Sequence, residues 1–315
     1  MELYKNVHQI SSLYGERYLF QYLFVGDRTI LVDSGIAATP RNTIFPYMEQ
    51  IGINPTELGM LVTTHPDTDH QGGNSAIHET APGALTGCGE ADRQMIQDPW
   101  RLYQDRYNHL QKDHGIGFGD EPHRDAGDRC RVDIGFSGGE RIVVSDTREL
   151  EVLHVPGHSS GHLALFDPNQ RAAFVSDAVH GHGCPKRDGS IELPVTYFQV
   201  DLYLSTLAQL EDLNIEEMHT GHWPSMYGDE VRDFITDSRR TVEILDRRIL
   251  QALSKARSGL TLDQLINEAR EEFPDWPAST RDAAIFPVNG HVERMEARGQ
   301  IKPIRGIHPV RWESL

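Results

Sequence analysis

The stretch LGMLVTTHPDTDHQGGN, residues 58–74, passes from an apolar run directly into His65-Pro66-Asp67-Thr68-Asp69-His70. Its apolar half reads as a short buried strand. Two imidazoles and two carboxylates in six positions are too few residues for a helix, so the cluster belongs at the strand's C-terminal end. GGNSAIHET then opens a helix. Taken alone, the cluster has two open readings: a turn whose aspartates accept from backbone N–H groups, or a metal site. Whatever this chain folds into must bring a strand end and a helix start to that point.

The rest of the chain supplies strands in pairs and then helices between strands. YLFQYLFVGDRTILVDSG holds two apolar runs around the turn dipeptide Gly26-Asp27, within a strand region at 7–35. Residues 41–52 read as helical. Residues 141–155, RIVVSDTRELEVLHV, read as a hairpin, and HLALFDPNQRAAFVSDA as a second one turning at Asp167-Pro168-Asn169. A helix over 200–213 and a last strand in EEMHTGHW follow. This order predicts an α/β sandwich rather than a doubly wound sheet. Residues 88–135, aromatic-rich and of helical period, interrupt the rhythm. Two readings of this insertion stay open: a surface helix on the core, or a lid or substrate wall.

From about residue 245 the pattern changes. LTLDQLINEAREEF begins with a capping box from Thr261 to Gln264, FPVNGHVERMEARG is a second helix stopped by Gly299, and QIKPIRGIHPVRW reads as a hairpin. The outline is that of a small winged-helix-like domain at 245–315 behind a catalytic domain at 1–244. From Asp246 on there are 11 basic and 10 acidic residues, a net charge of +1. A DNA-binding wing is usually clearly basic, so packing, dimerisation or pocket capping is the expectation. The whole chain agrees. Thirty basic against 47 acidic residues give −17, which opposes binding to a phosphate backbone.

No apolar run approaches the ~20 residues of a membrane span, and MELYKNVHQI lacks a basic region followed by an apolar core. A cytoplasmic protein with a small-molecule substrate, no nucleic-acid or membrane partner, and a homodimer as the assembly to consider is the expectation. The scattered Cys88, Cys130 and Cys184 fit reduced thiols.

The cluster at 65–70 has companions at other strand ends: Asp33 in LVDSG, His158 in PGHSSGH, Asp177 in FVSDAVHGH and His222 in TGHW. In this order the set resembles the metallo-β-lactamase superfamily of metallohydrolases over roughly residues 7–228. Its pattern H-x-H-x-D-H falls on His65, Asp67, Asp69 and His70. The resemblance implies a four-layer αβ/βα sandwich and two divalent ions, zinc before manganese or iron. It places one ion on His65, Asp67 and His158 and the other on Asp69, His70 and His222, with Asp177 between them. Asp33 would orient a ligand histidine from behind. Two ions about 3.5–4 Å apart need roughly six or seven protein donors, which this set supplies. The remaining histidines, His162 and His182 among them, read as structural or exposed.

Asp67 departs from the pattern, which has histidine there. An aspartate oxygen is as close to Cγ as a histidine Nδ1, so a donor is kept, while the added negative charge favours harder ions. The implied activity is hydrolysis of a small lactone or ester, with amide or thioester as variants. Asp69 is both ligand and catalytic candidate. His180 stands where the resembled lactonases carry a tyrosine, three residues after the bridging aspartate. It reads either as a leaving-group proton donor or as a surface-loop histidine. The alternative is an iron-dependent oxidoreductase related to flavodiiron proteins, which carry a carboxylate at the position of Asp67. No Gly-rich phosphate loop for a flavin is present.

Overall fold

In a computed structural model describing residues 1–119, 122–306 and 308–315, period-two alternation along the strands builds two sheets face to face. The first sheet orders its strands Glu2–Tyr4, Val7–Tyr14, Arg17–Phe24, Ile30–Val32, Met60–Thr63, Leu85–Gly89 and Ile134–Phe136. Its N-terminal half is antiparallel and the half from Ile30 onward is parallel. The second runs Met226–Tyr227, Glu217–Thr220, Ala172–Ser176, Leu163–Asp167, Arg148–His154 and Arg141–Ser145.

Alternate residues face opposite layers. Phe20, Tyr22, Phe24, Val32 and Val62 point inward to meet Val152, Leu163, Leu165 and Phe174. The rings of Phe24 and Phe174 meet edge to face at 4.8 Å. Their neighbours Leu23, Leu31 and Leu61 point outward onto Ile44, Met48 and Ile77 of the helical segments 40–50 and 74–80. On the far side Ala164, Phe166, Ala173 and Val175 meet Tyr203 and Leu207 of the helix Val200–Asp212 and Val231 and Ile235 of the helix Asp229–Lys255. The layers are therefore αβ/βα, the sandwich expected. Gly26 pins the edge, since a Cβ there would stand 2.3 Å from the Val144 carbonyl oxygen of the opposite sheet.

The C-terminal segment follows in the order helix, strand, helix, helix, hairpin, with a three-stranded sheet of Leu260–Thr261, Arg311–Ser314 and Ile301–Ile304. The capping box at Thr261 and Gln264 is formed. The hairpin read at 300–312 includes Ile307, and the insertion includes Asp120 and Glu121; these three lie outside the described residues. The helix Asp229–Lys255 runs unbroken through residues 244 and 245. Its buried positions Leu245, Ile249 and Leu253 share one apolar cluster with Tyr203 on one side and Trp276, Phe286 and Trp312 on the other. A buried polar chain crosses the same seam. Asp246 accepts from His291 Nδ1 at 2.7 Å, and His291 Nε2 meets Tyr197 Oη at 2.9 Å. Among the described residues, no helix is long and apolar enough to cross a membrane.

Candidate metal centre

The strand Ile30–Val32 ends in Asp33, held at a φ of 60°, and the strand Ala172–Ser176 ends in Ser176 at 49°. Neither residue is glycine, so both carry backbone strain of a kind that collects at functional sites. Asp33 is 2 % exposed and surrounded by donors. Its carboxylate accepts from Thr64 N at 2.8 Å, Ser176 Oγ at 3.0 Å and His70 Nδ1 at 2.9 Å. That last contact orients the His70 ring and turns its Nε2 toward the other ligand-type residues. His222 is fixed in the same way, its Nδ1 donating to the Tyr18 carbonyl at 2.8 Å.

Two Nε2 atoms thus face each other 3.4 Å apart. Asp177 Oδ2 lies 3.2 Å from His222 Nε2 and 3.7 Å from His70 Nε2, and Asp69 Oδ2 lies 3.6 Å from His222 Nε2. Ligands bound at about 2.0–2.2 Å around a tetrahedral ion would sit at spacings of this size. Asp69, His70 and His222 each offer an atom within 4.8 Å of the others. Burial opposes charge on all of these groups, yet the His70 ring is lifted to about 9, because Asp177 and Asp33 outweigh burial. Asp177 is held well below the usual carboxylate range, burial being overcome by His222 and His70. Imidazoles that hold their protons beside ionised carboxylates mark a place where positive charge is favoured. Gly221 makes room for it, since a Cβ there would come 2.5 Å from Asp177 Oδ1. The donor set fits a divalent ion.

The other half of the expected set is arranged differently. His65 is fully buried, with Nδ1 3.0 Å from Thr64 Oγ1. Its Nε2 has no hydrogen-bond partner among the described residues and lies 3.7 Å from Asp67 Oδ2. His158 Nε2 lies 2.9 Å from Asp67 Oδ2. Into this group projects a side chain from the insertion. Arg106 donates through Nε to Asp67 Oδ1 at 2.5 Å and through Nη2 to Oδ2 at 2.9 Å, a two-pronged ion pair. Burial would raise the Asp67 carboxyl, but Arg106 and His158 hold it well below its ordinary range. Tyr107 Oη adds a further bond to Asp67 at 3.1 Å. Asp69 has its own arginine, with Arg17 Nη2 at 3.0 Å.

His180 is neither a surface-loop residue nor aimed at the centre. It is 5 % exposed, and its Nε2 meets His158 Nδ1 at 3.1 Å. Burial first, and the neighbouring His158 second, push its pKa down to about 3. His162, set aside in the sequence, packs flat on His65 with ring centroids 4.6 Å apart and donates to the Val175 carbonyl.

Above the centre lies a cavity of about 350 Å³. Asp67, Asp69, Asp177 and His222 reach its polar end with Arg17 and Arg106, and Tyr107, Phe118, Phe198 and Phe286 form its apolar walls. Phe286 stacks on Phe198 at 4.4 Å and on Phe118 at 5.3 Å, so the C-terminal segment and the insertion close the cavity together. Side chains of the insertion and of the C-terminal segment thus line one cavity. Arg17, Arg106 and Phe286 carry no pattern that marks them in the sequence. The one hint of Arg106 is the added negative charge at Asp67, which calls for a cation.

Residues 15–222 match the sequence profile of the metallo-beta-lactamase superfamily. A hydroxyacylglutathione hydrolase from Hyphomonas neptunium is 29 % identical over 168 residues, 53 % of this chain and 49 % of that protein. An acyl-coenzyme A thioesterase from Homo sapiens is 26 % identical over 183 residues, 52 % of this chain and 56 % of that protein. The chain thus spans about half the length of these relatives. A metallo-beta-lactamase family protein from Thermus thermophilus superposes with a TM-score of 0.74 at 19 % identity, covering 98 % of this chain and 99 % of its own.

Proposed function

The chain belongs to the metallo-β-lactamase superfamily, and from that premise we propose that it is a metal-dependent hydrolase of acyl esters, thioesters foremost. The observation that carries this reading is the meeting of His70 and His222 Nε2 with Asp69 and Asp177 at the floor of an aromatic-walled cavity. Both relatives named above act, by their names, on acyl groups carried by a thiol. The lactone and oxygen-ester readings of the sequence involve the same attack on a carbonyl.

Asp69, His70, Asp177 and His222 would hold the ion, with zinc suited to two imidazoles and two carboxylates. When bound, the ion supplies Lewis acidity to a carbonyl oxygen and to water. The chain does the rest. Asp33 and the Tyr18 carbonyl orient the two imidazoles. Arg17 holds Asp69, whose carboxylate stands at the cavity floor in reach of a proton released by attacking water. Phe118, Phe198 and Phe286 exclude solvent and receive an apolar acyl chain. His180, behind His158, is a positioning residue in this reading rather than a proton donor.

The test is turnover of a panel of aryl esters, lactones and acyl thioesters by zinc-loaded protein. EDTA-sensitive hydrolysis with a preference for acyl chains that fill the apolar walls is expected, and an inert metal-replete protein would end the reading. Phe286→Ala is expected to raise KM for a medium-chain acyl thioester by about tenfold, since it removes a ring worth roughly 1–2 kcal/mol of contact. It should leave an acetyl substrate nearly unaffected, and equal losses on both would remove Phe286 from the binding wall. His180→Ala is expected to slow activated aryl esters and poor-leaving-group alkyl esters by the same modest factor. A loss concentrated on the poor leaving group would restore the proton-donor role.

A further inference from the structure

The place of one expected ion is taken up by a side chain of the protein. A metal held by His65, Asp67 and His158 would need one carboxylate oxygen of Asp67 and Nε2 of each histidine. Both Asp67 oxygens accept from Arg106 instead, and Arg106 Nη2 stands 3.0 Å from His158 Nε2. The guanidinium is locked from every side. Nη1 donates to the His158 carbonyl at 2.9 Å, and the carbon of the group lies 4.3 Å over the Phe198 ring. Arg106 is 5 % exposed. Tyr107, the next residue, braces the same carboxylate and also accepts from Thr68 N at 3.1 Å. A dication placed among these groups would compete with a resident cation for the same lone pairs and be repelled by it at close range in a buried setting.

The geometry points to a chain that holds one divalent ion, on Asp69, His70, Asp177 and His222, with the Arg106 guanidinium as a built-in cation where a second ion would sit. This rests on the metal-dependent reading above and sharpens it. It also gives the unusual Asp67 a reason. A carboxylate forms a planar two-pronged pair with a guanidinium, and an imidazole does not. The aspartate of the cluster and the arginine of the insertion are two halves of one device, 39 positions apart. His65 Nε2, buried and without a hydrogen-bond partner among the described residues, is the donor left over when the guanidinium replaces a metal. Removal of the arginine should therefore convert the group into a second metal site.

The test is metal counting on zinc-saturated, desalted protein by plasma mass spectrometry, with manganese electron paramagnetic resonance as a second readout. Wild type is expected to retain one ion per chain and, with manganese, to give the six-line signal of an isolated centre. Asp69→Ala and His222→Ala should lose the ion, while His65→Ala and His158→Ala keep it. The double variant R106A/D67H should retain two zinc ions and, with manganese, show a coupled pair. Two ions in wild type, or one ion that survives His222→Ala and leaves with His65→Ala, would overturn the proposal. A double variant still at one ion would overturn the part given to Arg106. No retained ion in saturated wild type would instead sink the metal-dependent reading as a whole. The single-ligand variants decide the matter even if the double variant does not fold.

Discussion

His70→Ala is expected to leave a folded chain that retains no divalent ion and hydrolyses every ester and thioester at the rate of metal-free wild type. That is a loss of about a thousandfold or more, roughly 4 kcal/mol of transition-state stabilisation. His70 is the hinge of the centre. Nδ1 is bound to Asp33, and Nε2 faces both His222 and Asp177. Its removal takes one donor from the ion and leaves Asp33 with an unpaired lone pair in a buried site. Folding should survive, since Thr64 and Ser176 still donate to Asp33. The measurements are metal content, far-ultraviolet circular dichroism, and turnover with and without added zinc. Asp33→Asn should be milder. An amide can still accept from His70 Nδ1, but it offers one acceptor oxygen in place of two, so affinity for the ion should fall by about 10–100-fold while the site survives. A metal-free His70→Ala protein with wild-type turnover would show that the centre has no part in the chemistry.

The strands and their ends were legible because each signal is local. Tyr22, Leu23 and Phe24 alternate between layers as a two-residue period demands. The ligand-type residues sit where apolar runs stop, and Thr261 and Gln264 cap a helix three residues apart in sequence. What escaped depends on contacts made across the fold. Arg106 meets Asp67 because short helical turns of the insertion lay it over the strand end, and nothing in WRLYQDRYNHL distinguishes it from a surface arginine. The position of His180 in sequence places it near the centre, but the direction of its ring is set by His158 and by the Tyr203 hydroxyl that accepts from its backbone N–H at 3.1 Å. A change of composition near residue 245 reads as a border. The helix Asp229–Lys255 crosses it because its apolar face is continuous, packed first on the sandwich and then on the C-terminal helices.

That continuity sets the second large effect. A chain ending at residue 244 is expected to be insoluble, or soluble only as a state that binds hydrophobic dyes and lacks a near-ultraviolet spectrum. The cut would fall inside the helix Asp229–Lys255 and remove Leu245, Ile249 and Leu253 from its buried face. With them go Leu265, Trp276, Phe286, Val292 and Trp312 of the same apolar cluster. At about 1.5–3 kcal/mol for each large side chain withdrawn from such a core, the eight named come to roughly 12–24 kcal/mol, which matches or outweighs the roughly 5–15 kcal/mol by which a domain is stable. Tyr197 loses His291, its hydroxyl partner, and Tyr203 and Leu207 lose part of the cluster that buries them. Those two side chains lie on the helix beneath the strands whose following loops carry His158 and Asp177, and the Tyr203 hydroxyl bonds the backbone of His180. The damage should therefore reach the centre, and retained zinc should fall with solubility. Soluble yield, dye binding and metal content of the fragment measure this. A cooperative, zinc-retaining fragment 1–244 would show that the catalytic layers stand alone and that the C-terminal segment only caps the cavity through Phe286.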